Sequence, residues 1–195
     1  SIPRILFAIL FFSFVMYLIP GLFGAPLKLI SGFPPPEHYN EGWKLGGNST
    51  AAAIFSADII EAGADPEHCP HNLPCFHDYD EAFAYAKKVN KPVMLDFTGW
   101  SCVNCRKMED NVWSDPAVLK TLRDDYVLVS LYVDDKTELP ESEKYTSETT
   151  GKKVKTIGNK WSDLETRMFT TNSQPLYVLM SPEEEVLVPA VGYTP

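Results

Sequence analysis

With 195 residues, 45% of them hydrophobic and 22% charged, the chain has room for one ordinary domain plus extra segments, and hardly for two full cores. A formal net charge of -9 excludes a phosphate-tracking nucleic-acid surface, which needs clustered Lys and Arg. The one basic cluster, Lys152, Lys153 and Lys155, is short and lies in a polar stretch, so it reads as a solvated loop. The chain opens on Ser1 and stops at Pro195 just after an apparent strand, so it reads as a fragment or a processed piece.

The first segment departs from this composition. No charged residue occurs from Ile5 to Pro26, and the run from Ile5 to Phe12 is apolar on every helical face. At about 1.5 Å per residue such a helix spans roughly 33 Å, enough for a bilayer core. Having no polar face, it is unlike an amphipathic surface helix. Arg4 at its near end favours a cytoplasmic amino terminus, with everything after Lys28 outside. A cleaved signal peptide would show a similar pattern, but the length of the stretch favours a transmembrane helix over residues 1–31, kinked or ended at Pro20-Gly21. Residues 32–76 follow as a linker, rich in Pro and Gly at its start, with a short helix or strand over Ala51 to Ile60 and a Cys/His cluster at its end.

From Asp78 the signals sharpen. Asp78 and Glu81 form a capping-box-like start, and Tyr79, Ala82, Phe83, Ala86 and Val89 share one helical face until Pro92 stops the helix. Val93 to Thr98 reads as a buried strand, and a second helix should open at Cys102 behind Ser101 as its N-cap. Asp115 caps a third helix with Pro116 at its first position. Tyr126 to Val133 is a strongly apolar strand, and Asp134 to Asn159 a long polar loop. Ser162 and Glu165 suggest a further capping box, opening a helix through Phe169. Leu176 to Met180 and Val186 to Val191 read as strands of a closing hairpin. Strands alternating with helices and a final hairpin predict an α/β domain, a mixed sheet with flanking helices, over residues 77–195.

Cys102-Val103-Asn104-Cys105 lies directly after a strand and opens a helix. Two intervening residues put both sulfurs on one turn, and the helix amino terminus offers unpaired N–H groups and a positive dipole end that favour thiolate. A thiol pKa falls there from about 8.5 to between about 3.5 and 7.5. Cys102 is then the exposed nucleophile and Cys105 the resolving partner. A structural zinc site fits less well, because no second Cys-x-x-Cys or His pair stands at ordinary spacing. No metal or other cofactor is expected. In the cluster His68, Cys69, His71, Cys75 and His77, a Cys69–Cys75 disulfide is the leading reading and a copper or zinc site the alternative.

The strand Val93 to Phe97, the Cys102–Cys105 helix and Ser173-Gln174-Pro175 before a strand resemble thioredoxin. With Glu109 four residues after the second cysteine, the Ser114-Asp115-Pro116 helix start and Gly192-Tyr193-Thr194, the chain most resembles the C-terminal periplasmic domain of the DsbD family of transmembrane thiol–disulfide interchange proteins. The resemblance covers about Phe76 to Pro195 well and the first thirty residues loosely. It implies a thioredoxin-like fold and a protein-disulfide reductase that carries reducing equivalents through Cys102 and Cys105. Asp96 would be the buried acid that exchanges a proton, and Glu109 a second acid that raises the reactive cysteine's pKa. Pro175 would be the cis-proline facing the disulfide, its loop leaving backbone edge for a partner. The implied electron donor is a preceding membrane domain, and the acceptor a periplasmic disulfide-bearing protein or domain. The implied location is the cytoplasmic membrane, with the thioredoxin-like domain in the periplasm. Two departures stand out: Trp100 lies one residue further from Cys102 than the family's aromatic, and the family's final helix, due after Thr194, is missing. The rival readings are a membrane-tethered metal-handling module built on residues 68–77 and a tethered, non-catalytic binding domain with both cysteine pairs permanently oxidised.

Overall fold

The computed structural model describes residues 2–23, Leu27, Ile30 and 57–194. Of the linker expected over residues 32–76, residues 32–56 lie outside the described residues. Helix α1 (Ile2–Leu18) passes into a 3-10 turn at Ile19–Phe23, so the α-helix ends just before Pro20, whose missing N–H cannot extend it. Ile2–Gly21 is long and apolar enough to cross a membrane, with a mean hydropathy of 2.2 and no buried residue in that stretch.

The remaining elements in chain order are α2 (Ala57–Glu61), β1 (Cys75–Phe76), α3 (Tyr79–Val89), β2 (Val93–Thr98), α4 (Val103–Met108), α5 (Pro116–Asp124), β3 (Val127–Tyr132), β4 (Tyr145–Thr146), β5 (Lys153–Val154), α6 (Ile157–Phe169) and β6 (Leu176–Met180). A four-stranded sheet runs in the order β1-β3-β2-β6, with β1 and β2 parallel to β3 and β6 antiparallel to β2. It is the mixed, helix-flanked sheet expected.

β2 and β3 are buried at every position, so successive side chains feed two different cores. Val93, Leu95 and Phe97 join Val127, Val129, Leu131 and Phe76 in one cluster with residues of α3 and α6. Met94 joins Leu128, Cys69, Cys75, Trp113 and Leu122 in a second, smaller cluster on the opposite face. Asp96 and Thr98 alternate onto that second face, and Asp96 lies opposite Ser130 on β3 and Tyr177 on β6.

Several boundaries differ from expectation, each for a local reason. β1 lies in the segment read as linker; two residues are too few to show a period, yet Cys75 and Phe76 pair with Leu128 and Val129. Ala64 is in the main core and Ile59 packs against it. α3 stops at Asn90, whose left-handed backbone (φ 52°) caps it two residues before Pro92. α6 opens at Ile157 with Thr156 as N-cap accepting from the Asn159 N–H at 3.2 Å, so Ser162 and Glu165 lie inside the helix rather than at its start. The loop expected at 134–159 also contains the small β4–β5 hairpin. The strand expected over Val186 to Val191 is reduced to isolated bridges, Met180 to Val186 and Tyr177 to Val191, because Pro189 between them has no N–H to donate.

Among the described glycines, Gly158 has the closest backbone neighbours. Its N–H donates to the Asp135 carbonyl at 3.0 Å, and an added Cβ would lie 2.5 Å from the Val133 carbonyl oxygen and 2.6 Å from the Asp135 backbone. Backbone cannot swing away as a side chain can. Gly158→Ala is therefore expected to destabilise the domain by about 1–3 kcal/mol, in the range of overpacking substitutions, checked as a lowered urea midpoint at unchanged m-value.

Candidate functional site

Cys102 and Cys105 form a disulfide with Cα atoms 5.3 Å apart. Cys102, rather than Ser101, is the N-cap of α4: its backbone is extended and its sulfur accepts from the Cys105 N–H at 3.1 Å. One orphan donor of the helix start thus points at the sulfur that would carry negative charge. Cys102 is half-buried while Cys105 is 1% exposed, the asymmetry expected of a nucleophile and its resolving partner.

The approach to Cys102 is held by Asp134, the first residue of the segment expected to be a polar loop. The Asp134 carboxylate accepts from the Trp100 N–H at 2.8 Å and the Ser101 N–H at 3.0 Å. Trp100, displaced by one residue from the expected aromatic, stacks on Tyr132 with ring centroids 3.8 Å apart and planes 16° from parallel. The extra residue is absorbed without losing an aromatic contact.

Along the same face of α4 as the cysteines lies a buried charge set. Cys102, Cys105, Arg106 and Glu109 fall at i, i+3, i+4 and i+7, one helical face. That spacing is the signal by which Arg106 was recognisable in the sequence, though it was not among the expected site residues. Arg106 is 4% exposed, and its Nη2 donates to Glu109 Oε1 at 2.6 Å and to Thr98 Oγ1 at 3.1 Å. Glu109 begins a π-helical turn (Glu109–Trp113) that carries both Glu109 and Trp113 inward. The Glu109 carbonyl accepts from His71 Nε2 at 2.8 Å, fastening the loop of the other cysteine pair to this turn.

Asp96 is equally enclosed. Its Oδ2 accepts from Ser130 Oγ at 3.3 Å, and Oδ1 has no hydrogen-bond partner among the described residues. Burial pushes its carboxyl up to about 7, against the pull of Arg106 and the Ser130 bond. Burial also pushes Glu109 up, to about 8, again opposed by Arg106 and reinforced by the charge of Asp96. Arg106 is permanently charged. One cation with two carboxyls is neutral when the acids share one proton, so they titrate as a pair. Although burial raises Glu109 further, its direct contact with the guanidinium at 2.6 Å favours its carboxylate form, and Asp96, with one oxygen lacking a partner among the described residues, is the better home for the shared proton.

Pro175 follows a cis peptide bond from Gln174. It immediately precedes Leu176, which pairs with Phe97 at the end of β2. The backbone edge expected at Ser173 is occupied in part: its N–H donates to Glu165 Oε1 at 2.9 Å, and Glu165 Oε2 accepts from the Gln174 side chain at 2.7 Å. Glu165 is fully buried. It anchors the proline loop instead of closing a capping box, a role that depends on Ser173 and Gln174 being brought beside α6.

The second cysteine pair is also a disulfide, Cys69–Cys75, with Cα atoms 6.1 Å apart and both residues buried. It closes a loop in which His71 and Asn72 have positive φ.

A Cys-x-x-Cys at the amino end of a helix that follows a central strand, beside a strand entered through a cis-proline, defines a thioredoxin-like domain. The family model described as thioredoxin-like matches residues 75–182, over half of the chain, and the chain belongs to that family. Among solved structures it is similar to a DsbH oxidoreductase, with 22% identity, 77% of this chain and 84% of that chain covered and a TM-score of 0.45. It is also similar to a thioredoxin from Thermus thermophilus, with 25% identity, 62% and 77% coverage and a TM-score of 0.43. A disulphide isomerase from Xylella fastidiosa Temecula1 shows 17% identity, 60% and 79% coverage and a TM-score of 0.39. No curated protein matches the chain.

The raised pKa of Asp96 has a consequence for stability. The folded protein keeps a proton that the unfolded chain releases near pH 3.8. Stability from this group is therefore full below that value and is lost as pH rises through about 7. Asp96→Asn should flatten the fall of stability between pH 5 and 8 and leave the variant more stable than wild type at pH 8. Urea midpoints of both proteins across that range check this; parallel curves would show that Asp96 is ionised throughout.

Proposed function

We propose that this protein is a thiol–disulfide oxidoreductase that passes reducing equivalents from a membrane domain to extracytoplasmic acceptors, in the manner of the DsbD family. The observation that carries the proposal is the Cys102–Cys105 disulfide, with Cys102 half-buried at a helix cap and Cys105 enclosed. In the reducing direction the Cys102 thiolate attacks one sulfur of an acceptor disulfide and releases the other as thiolate. Cys105, losing its proton, then attacks Cys102 and frees the second acceptor sulfur. The acceptor gains two electrons and two protons, one from Cys105 and one from solvent, and Cys102–Cys105 becomes the disulfide.

Asp96 is assigned the proton-accepting role for Cys105, because a carboxyl poised near pH 7 both takes and returns a proton at that pH. Glu109 is assigned the tuning of local charge: as the carboxylate against Arg106, it compensates a buried cation that would otherwise favour thiolate. The Pro175 loop, held from behind by Glu165, is assigned the docking of an acceptor strand at the end of β2. The apolar helix α1 supports a tether to the membrane, with the thioredoxin-like domain on the outer side of the cytoplasmic membrane.

The test is disulfide reduction by the full chain in detergent, with insulin as acceptor. Cys102→Ser is expected to fall to the background rate, and Cys105→Ser to accumulate a mixed disulfide through Cys102. Asp96→Asn should retain the fold and slow turnover by about 10²-fold, the lower end of what a proton-transfer group contributes. A Cys102–Cys105 pair that stays oxidised under excess dithiothreitol would overturn the proposal in favour of a non-catalytic binding domain.

A further inference from the structure

The loop closed by Cys69 and Cys75 contains more than a disulfide. His77, two residues beyond Cys75, turns its ring back onto both sulfurs: Nε2 lies 3.8 Å from Cys69 Sγ and 3.9 Å from Cys75 Sγ. The other ring nitrogen, Nδ1, is 3.1 Å from the Ser130 carbonyl oxygen. A carbonyl only accepts, so Nδ1 carries the ring proton and Nε2 presents a lone pair toward the sulfurs. A carbonyl behind one ring nitrogen is the arrangement that fixes a metal-ligating histidine in its tautomer and orientation. The three ligand atoms lie within 4.8 Å of one another, and the two cysteines pack among Leu73, Trp113 and Leu128.

We propose that Cys69, Cys75 and His77 form a redox-gated site for one Cu(I) ion, closed while the disulfide is intact and opened by its reduction. Two thiolates and one imidazole make a soft, trigonal donor set, which suits Cu(I). A structural zinc ion almost always takes four ligands, and among the described residues this cluster supplies three. Opening the site takes two electrons. An external dithiol attacks the Cys69–Cys75 bond by exchange and departs as its own disulfide, leaving two thiols that carry the two protons it gave up. Cu(I) binds both as thiolates, and those two protons pass to solvent.

The pairing order in the chain makes such gating local. Cys75 lies on β1 beside Leu128, and His77 bonds to Ser130 two residues further along β3, so two of the three donors are set by the edge of the sheet. Cys69, the third donor, lies outside the sheet, at the start of the turn containing His71 and Asn72.

The experiment uses the full chain in detergent with Cys102→Ser and Cys105→Ser, which removes the competing thiols. It is reduced by a phosphine, which becomes its oxide with oxygen from water, and is titrated anaerobically with Cu(I) against a chromophoric chelator. One equivalent bound, with a near-ultraviolet thiolate-to-copper band, is expected for the reduced protein and none for the oxidised one. His77→Ala should weaken binding by about 10- to 100-fold, taking the scale of losses measured at the supporting residues of metal sites as a lower guide, while the exposed His68→Ala leaves it unchanged. Circular dichroism and urea midpoints establish that each variant is folded. Equal binding by the oxidised protein, no loss in His77→Ala, or displacement of Cu(I) by equimolar Zn(II) would each overturn the assignment.

Discussion

A carboxyl group in the middle of a strand buried on both faces has to find its partners inside the protein. Asp96 is that group, and much of the site is arranged around it. Ser130 on β3 reaches one of its oxygens, and Arg106 contributes a favourable charge from α4. A lone guanidinium in that position would itself be an uncompensated buried charge. Glu109 meets it at 2.6 Å, and the π-helical turn that begins there turns Glu109 inward. The result is one cation, two acids and one shared proton beside a dithiol helix, a composition that changes its protonation near neutral pH rather than far from it.

The sheet explains why the two cysteine pairs belong to one environment. Alternation along β2 and β3 sends the large aliphatic residues to the face covered by α3 and α6, and Met94, Asp96, Thr98, Leu128 and Ser130 to the other. Cys75, opposite Leu128, lies on that second face too. Ser130 contacts both systems: its hydroxyl donates to Asp96, while its carbonyl accepts from His77. His71 adds a second link, from the Cys69–Cys75 loop to the Glu109 carbonyl. The smaller core is therefore a continuous polar and sulfur-bearing layer under the site, while the larger core supplies the conventional apolar burial that offsets its cost.

Much of this was legible along the chain. The Asp78 and Asp115 caps, the buried strand Val93 to Thr98, the strand Leu176 to Met180 and the Cys102–Cys105 helix all follow from local rules, because capping, period and turn chemistry act within a few residues. The face Cys102, Cys105, Arg106, Glu109 was written at helical spacing as well. Asp96 stood out because a carboxylate in an apolar strand has no local partner. Such local signals sufficed for the fold class and for the placement of the Cys102–Cys105 pair at a helix start.

Tertiary structure decided what depends on residues distant in sequence. Asp134 holding the Trp100 and Ser101 backbone, Glu165 anchoring Ser173 and Gln174, and Ser130 bridging Asp96 and His77 each involve a hydrogen bond whose donor and acceptor have no sequence relation. The two-residue strand Cys75–Phe76 exists only because β3 offers it a pairing edge; alone it has no period and no intrinsic stability. The sequence by itself determined which residue types were available and which short stretches formed helices and strands, since those choices are settled by neighbours within one or two turns. Which charges share a proton, and which imidazole faces which sulfur, was decided only when the sheet brought β1, β2, β3 and α4 together, because electrostatics and hydrogen bonding act through space and not along the chain.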